Sequence, residues 1–194
     1  MLDTYGRKYA NPAIELGASC FLKMKLKANH ITLLALVLGM ITSVLVYLDF
    51  NVLAIVILWI SGYLDAVDGA MARSSNNSTP FGTLMDITFD RIVEVGIILA
   101  LALKNPSIRL NLLVLTVCIL LSMTIFLTVG ALSDKKGIKS FYYQAGVAER
   151  TEGFILFSLM VLIVKWSGII TNIFSVIVLF TALQRMMEAK RLLN

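Results

Sequence analysis

The sequence predicts an all-α integral membrane protein with six transmembrane helices and an amphipathic surface helix before them. The first indication is composition: 58% of the 194 residues are hydrophobic and 15% are charged, against about 45–50% and about 25% in average soluble domains. A single soluble core of this length could not shield so many apolar side chains from water. The second indication is a series of long apolar segments, and the third is the distribution of basic residues between them.

Residues 1–28 are predicted to form a cytoplasmic segment beside the membrane. Within it, residues 12–27 mix apolar side chains such as Ile14 and Phe21 with lysines such as Lys23. The segment has no continuous apolar stretch and no cleavage site, so it is neither a span nor a signal peptide. The pattern favours an amphipathic helix on the membrane surface with Pro12 near its first turn. A disordered basic tail is the alternative.

Residues 29–194 are predicted to form one six-helix domain. A spanning helix needs about 20 mostly apolar residues. The predicted spans cover residues 31–48, 52–73, 82–103, 110–132, 151–166 and 169–187. The fifth has a short apolar core, so its start is placed as early as Gln144. The connections are too short to hold another domain.

Basic residues predict the orientation of these spans. Of the 17 lysines and arginines, Lys104, Arg109 and Lys165 fall on one side of the membrane and Arg91 falls within a span, which leaves 13 on the other side. This asymmetry obeys the positive-inside rule and places both termini in the cytoplasm of a multi-pass cell-membrane protein. The net charge of +5 is explained in this way, and we expect no nucleic-acid partner.

Four of the twelve acidic residues lie at the end of the second span and the start of the third. Asp65 and Asp68 are spaced i,i+3, and Asp86 and Asp90 are spaced i,i+4, so each pair shares a helix face. A carboxylate in a span costs about 2.5–3.5 kcal/mol unless it is paired or lines a polar cavity. Oxygen ligands favour Mg²⁺, Mn²⁺ or Ca²⁺. Two such ions would neutralise the cluster and bind a diphosphate.

Two further residues extend this predicted site. Gly69 follows Asp68 and lacks a side chain, which would let a phosphate approach the helix backbone. Arg73 lies one turn beyond and can donate charge-assisted hydrogen bonds to phosphate oxygens. One alternative is a set of structural ion pairs with Arg73 and Arg91, although two arginines cannot balance four carboxylates. Another is the ion pathway of a cation-coupled transporter.

The residues from Asp65 to Asp90 spell D-x2-D-G-x2-A-R-x8-G-x3-D-x3-D. This pattern resembles the signature of the CDP-alcohol phosphotransferase family, and the six predicted spans resemble its architecture. Asn29 and Thr32 resemble a Pro-Asn-x-x-Thr stretch of the family, with Ala28 in place of the proline.

The resemblance implies a role for each matching residue. Metal binding is implied for Asp65, Asp68, Asp86 and Asp90, and contact with the cytidine diphosphate for Gly69, Arg73, Gly82, Asn29 and Thr32. Asp90 would also take the proton from the acceptor hydroxyl. The implied reaction is attack of that hydroxyl on the β-phosphorus of a CDP-linked lipid with release of CMP, supported by two Mg²⁺ or Mn²⁺ ions. The family also leaves a homodimer open.

The acceptor is predicted to be a small polyol phosphate, such as glycerol 3-phosphate or inositol phosphate. Basic residues near the predicted cytoplasmic ends of the later spans would bind its phosphate; they are Lys135, Lys136, Lys139, Arg150 and Arg185. Residues 148–152 resemble a stretch of inositol-phosphate-using members, but Gly153 replaces a residue that is usually basic there. The lysines could equally be membrane anchors, and transfer of a choline or ethanolamine headgroup from CDP to a lipid hydroxyl is the alternative reaction.

Overall fold

The structure is a computed structural model that describes residues 2–75, 78–133 and 150–193, with side chains from Ala10 onward. The described residues form helices and contain no strand, which confirms the all-α prediction. The helices are α1 (Leu2–Lys23), α2 (Ala28–Tyr47), α3 (Asn51–Ser74), α4 (Pro80–Lys104), α5 (Arg109–Leu132), α6 (Arg150–Leu162) and α7 (Ser167–Leu192). Short 3₁₀ turns at Pro106–Ile108 and Val164–Trp166 precede α5 and α7.

Four helical segments in the described part of the chain are long and apolar enough to cross a membrane. They are Ala28–Tyr47, Asn51–Ser74, Pro106–Leu132 and Val164–Leu192. Their outward side chains are large and apolar, for example Val44 and Val176, each more than half exposed, as lipid-facing residues are.

The other two predicted spans correspond to α4 and α6. α4 has 25 residues, enough to span, but it carries several charges. α6 has 13 described residues, about 20 Å of helix. The earliest start proposed for that span, Gln144, lies outside the described residues. Six spans therefore stay a prediction.

The predicted bounds of the surface helix, 12–27, are wrong. α1 covers Leu2–Lys23, and Pro12 lies inside it rather than in its first turn. A proline within a helix removes one backbone hydrogen bond and crowds the preceding turn. The residues on both sides of Pro12 nevertheless continue the helix, so the proline does not mark its start.

Left-handed residues end both α1 and α2. Lys25 has φ 59° and Asp49 has φ 69°. In each case the N–H of the following residue donates to a carbonyl five residues earlier, at 3.1 Å after Lys25 and 3.0 Å after Asp49. These bonds satisfy carbonyls that a helix end leaves without partners. The chain can therefore reverse sharply without a glycine.

The chain divides into two compact units. One contains Thr4–Lys104, and the other contains Asn105–Asn194 together with Met1–Asp3. In the second unit α5 and α6 pack on α7. The Phe157 and Phe174 rings meet edge to face with centroids 5.2 Å apart.

In the first unit, α2 packs along both α3 and α4. α1 joins this unit through Gly17, where a Cβ would collide with the Tyr63 hydroxyl and lie 3.1 Å from Val67. The same hydroxyl donates to the Ala13 carbonyl at 2.9 Å. α1 is thereby fixed to α3 two residues before Asp65.

Candidate active site

Three of the predicted acidic residues come together in the first unit. Asp65 and Asp68 on α3 are 7% and 5% exposed, and Asp86 on α4 is half-buried. One carboxylate oxygen from each lies within 4.8 Å of the other two. Buried carboxylates at this spacing would repel each other strongly unless a cation or protons intervene. An all-oxygen donor set with this convergence fits a hard divalent cation such as Mg²⁺ or Mn²⁺.

Asp90 lies outside this group of three carboxylates. It is half-buried on α4, one turn beyond Asp86. The i,i+4 spacing keeps it on the same helix face, while the rise of α4 carries it about 6 Å along the axis. The structure thus separates a tight three-carboxylate group from a fourth acid on the same face.

Gly69 provides open space next to the acidic group. A Cβ built there would meet one side chain, with Nη1 of Arg73 at 3.2 Å. Arg73 is exposed near the end of α3, so its guanidinium is the far end of a flexible side chain. Glycine within a helix is unfavourable by about 0.5–1 kcal/mol relative to alanine. No close contact with the described neighbours other than this flexible side chain requires a glycine at position 69.

Gly82 lies in the first turn of α4, beside Asn29 of α2. Its N–H donates to Oγ1 of Thr79 at 3.0 Å, and a Cβ on Gly82 would lie 3.2 Å from that oxygen and 3.7 Å from Asn29 Oδ1. Thr32 is buried, and its hydroxyl donates to the Ala28 carbonyl at 3.1 Å. The structure therefore places Asn29 beside Gly82 and occupies the Thr32 hydroxyl within α2.

Thr79 is a helix-capping residue near the acidic helix segment that the sequence analysis did not identify. Its side chain caps α4, with Pro80 in the first helical position and Gly82 in the third. The signal was present, because a threonine followed by proline is a common start of a helix. The cap fixes where α4 begins, and hence where Asp86 lies along it.

The predicted acceptor residues Arg150 and Arg185 belong to the second unit. Arg185 on α7 is 7% exposed, and its guanidinium donates to Ser122 Oγ at 3.1 Å and lies 4.9 Å from the centre of the Phe126 ring. Arg150 opens α6 and lies 5.5 Å from the Phe154 ring centre. Both arginines are thus oriented by aromatic rings. Lys135, Lys136 and Lys139 lie outside the described residues.

The family model for CDP-alcohol phosphatidyltransferases matches residues 25–184. The chain belongs to this family. It is therefore an enzyme, a transferase of substituted phosphate groups in phospholipid biosynthesis. The family prediction made from the acidic motif is confirmed, and so is the prediction of a membrane protein.

Individual relatives agree with this assignment. The chain is 31% identical over 178 residues to inner membrane protein YnbA of Escherichia coli, covering 84% of each protein. It is 30% identical over 103 residues to archaetidylinositol phosphate synthase of Pyrococcus horikoshii, covering 53% of this chain and 54% of that protein.

Crystal structures of Mycobacterium tuberculosis phosphatidylinositol phosphate synthase share the fold. The structure with CDP-DAG bound has a TM-score of 0.75 at 19% identity and covers 91% of this chain and 92% of that one. The structure with manganese and citrate has a TM-score of 0.73 at 20% identity and covers 89% of this chain and 87% of that one.

Proposed function

We propose that this enzyme transfers a phosphatidyl-type group from a CDP-linked lipid to the hydroxyl of a small polyol phosphate, releasing CMP. The reaction would take place at the cytoplasmic side of a six-span membrane protein. The observation that carries the proposal is the three-carboxylate group beside the open backbone at Gly69. A diphosphate-bearing donor needs both features, because its charge must be neutralised and its phosphates must come close to the helix.

Asp65, Asp68 and Asp86 are the residues that would hold divalent metal, and Asp90 would complete the site. The convergence of three carboxylate oxygens within 4.8 Å supports this assignment. We propose two Mg²⁺ or Mn²⁺ ions. When bound, such ions neutralise charge on the phosphate oxygens and lower the pKa of a nearby hydroxyl.

Arg73 and Gly69 would bind the donor. Arg73 is exposed and bears five N–H donors in a planar group that matches phosphate oxygens. Gly69 leaves the space between that guanidinium and the α3 backbone open. Gly82, Asn29 and Thr32 would line the part of the site that receives the rest of the cytidine diphosphate.

Asp90 would act as the general base. Its carboxylate accepts the proton of the acceptor hydroxyl as the acceptor oxygen bonds to the β-phosphorus of the donor. The bond between the β-phosphorus and the bridging oxygen of CMP breaks, and CMP leaves with that oxygen. The position of Asp90 outside the three-carboxylate group supports this role, since a carboxylate at the edge of the metal site has fewer cation contacts and accepts a proton more readily.

A phosphate-bearing acceptor is supported by Arg185 and Arg150. A buried guanidinium held between a hydroxyl and a ring, as in Arg185, is pre-oriented for a charged ligand. Two of the similar proteins are an archaetidylinositol phosphate synthase and a phosphatidylinositol phosphate synthase, whose names indicate lipid products that carry an inositol phosphate headgroup. We extend the proposed acceptor site to Lys135, Lys136 and Lys139, in agreement with their positive charge.

The test is release of CMP from CDP-diacylglycerol by the purified protein with Mn²⁺. The acceptors are inositol phosphate, glycerol 3-phosphate, inositol and glycerol. We expect CMP with at least one phosphorylated acceptor and little with the corresponding free polyol. Equal rates with inositol and inositol phosphate would contradict the acceptor assignment. CMP release only from CDP-choline with diacylglycerol would contradict the direction of transfer, and cation flux without CMP under any condition would indicate a transporter.

A further inference from the structure

The two helices that carry the acidic group are held mainly by a third helix. α3 supplies Asp65 and Asp68, and α4 supplies Asp86, but both pack chiefly on α2 and much less on each other. The spacing between the carboxylates on α3 and the carboxylate on α4 is therefore set through α2. Any residue of α2 that contacts both α3 and α4 can therefore control the spacing between their carboxylates.

Gly39 is such a residue. A Cβ at this position would collide with Cγ2 of Val93 on α4, and would lie 2.9 Å from Cγ1 of the same side chain. On the other side it would lie 3.2 Å from Oγ of Ser61 on α3. Gly39, Ser61 and Val93 thus form a three-helix junction, and only a residue without a side chain fits at its centre.

Ser61 fixes α3 at this junction. Its hydroxyl is buried and donates to the Ala35 carbonyl of α2 at 2.7 Å. The bond is short, and both groups are removed from water, where a lost partner costs most. The register of α3 along α2 is thereby set one turn before Asp65.

The junction and the acidic group lie on the same helix faces. Ser61 is seven residues before Asp68, and Val93 is seven residues after Asp86. Seven residues are close to two turns, so each residue lies below its carboxylate on the same face, about 10 Å along the axis. At that distance a tilt of about 6° moves a carboxylate by about 1 Å, whereas metal–ligand distances tolerate about 0.2 Å.

We infer that Gly39, with Ser61 and Val93, is a positioning site that sets the separation of Asp86 from Asp65 and Asp68 and thereby the affinity for divalent metal. The inference rests on the proposed metal site. None of the three junction residues needs to touch substrate or metal. Their effect is transmitted through the packing of α3 and α4 on α2.

The experiment is direct Mn²⁺ binding to the purified full-length protein, measured by electron paramagnetic resonance of free Mn²⁺, with the thermal midpoint recorded alongside. Gly39→Ala is expected to weaken Mn²⁺ binding by about 10–100-fold, the range seen for groups that orient metal ligands. Adding Val93→Ala removes both Cγ atoms that the new methyl meets. The double variant is expected to recover binding to within about threefold of wild type.

Gly168→Ala controls for adding a methyl to a glycine in a packed helix, because its Cβ would meet a milder contact, Ile108 Cγ2 at 3.2 Å, in the other unit. It is expected to bind Mn²⁺ as wild type does. If Gly39→Ala does not fold, Ser61→Ala becomes the variant that tests the inference. Its Mn²⁺ affinity is expected to fall by about threefold to tenfold.

Three outcomes would overturn the inference. Unchanged Mn²⁺ affinity in folded Gly39→Ala, or in Ser61→Ala where that variant decides, would show that the junction does not position the carboxylates. Failure of Val93→Ala to rescue binding would show that the loss does not arise at the junction. Absence of Mn²⁺ binding in wild type would refute the proposed metal site itself. The wild-type measurement alone reveals this outcome, so it can be told apart from the other two.

Discussion

Replacement of Gly69 by alanine should lower the activity of the enzyme without lowering its stability. The added methyl has one close neighbour, Nη1 of Arg73 at 3.2 Å, which can move because it ends an exposed, flexible side chain. Alanine favours a helix interior over glycine by about 0.5–1 kcal/mol. For a chain of this size that gain corresponds to a rise of about 1–4 °C in the thermal midpoint. We therefore expect Gly69→Ala to be at least as stable as wild type.

Activity should fall in the same variant. The methyl occupies the space between the α3 backbone and Arg73 that the donor phosphates are proposed to enter. A displacement of about 1 Å at a reacting centre costs about 100-fold in rate, which corresponds to about 2.7 kcal/mol. We expect kcat/KM for CDP-diacylglycerol to fall by about that factor, measured by CMP release under saturating acceptor.

Gly168→Ala is the control, since its methyl also has its closest neighbour at 3.2 Å but lies in the unit without the acidic group. It should keep kcat/KM within about twofold. The reasoning is refuted if Gly69→Ala retains wild-type activity. It is equally refuted if the variant loses stability and activity together, because Gly69 would then be a packing residue.

Substitutions at three other positions probe the remaining parts of the site and fold. Asp90→Asn should lower kcat by at least about 100-fold, the contribution of a general base. It should weaken Mn²⁺ binding less than Asp86→Asn does, because Asp90 would complete the metal site from outside the three-carboxylate group. A loss of Mn²⁺ binding as large as that of Asp86→Asn would make Asp90 mainly a ligand. Arg185→Ala should raise KM for a phosphorylated acceptor by about 10–150-fold, the equivalent of one charge-assisted hydrogen bond of about 1.5–3 kcal/mol. Arg185→Lys should recover only part of the lost acceptor affinity, since lysine lacks the planar group that lies over the Phe126 ring. An unchanged KM in both variants would remove Arg185 from the acceptor site. Lys104→Met should lower the thermal midpoint by a few degrees and leave kcat/KM unchanged. The substitution breaks the 2.6 Å ion pair between Lys104 and the exposed Asp49, and such a pair is worth up to about 1 kcal/mol. A loss of activity at unchanged stability would contradict a purely structural role for Lys104.

The convergence of the acidic residues could be predicted because it depends on local geometry. Spacings of three and four residues place carboxylates on one face, and a short connection makes α3 and α4 run in opposite directions. The separate position of Asp90 could not be predicted in this way. Residues four apart share a face, and their offset along the axis matters only once the opposing helix is in place.

The helix bounds show the same limit. Apolar segments predicted α2 through α5 to within a few residues, because their lengths follow from hydropathy. The start of α1 was missed because Pro12 was interpreted as a first-turn residue. The ends at Lys25 and Asp49 depend on left-handed backbone at residues that are not glycine, which hydropathy does not indicate.

Contacts between residues that are distant along the chain could not be predicted from the sequence. Gly39 reads as one glycine in an apolar helix, and nothing around it in the chain indicates that Val93 and Ser61 converge on it. The pairing of Arg185 with Ser122 and Phe126 is equally distant along the chain. Such contacts exist only in the packed helices, so the positioning role proposed for Gly39 could be inferred only from the structure.

The most direct test of the central claim is the dependence of CMP release on free Mn²⁺ in metal-stripped protein, measured with CDP-diacylglycerol and the best acceptor for wild type and Asp86→Asn. If the three carboxylates hold the metal that supports transfer, wild-type CMP release starts from zero in chelator and saturates with Mn²⁺, while Asp86→Asn releases almost none at the same concentrations. CMP release at the wild-type rate in excess chelator, or an Asp86→Asn curve that overlays the wild-type curve, would contradict the account.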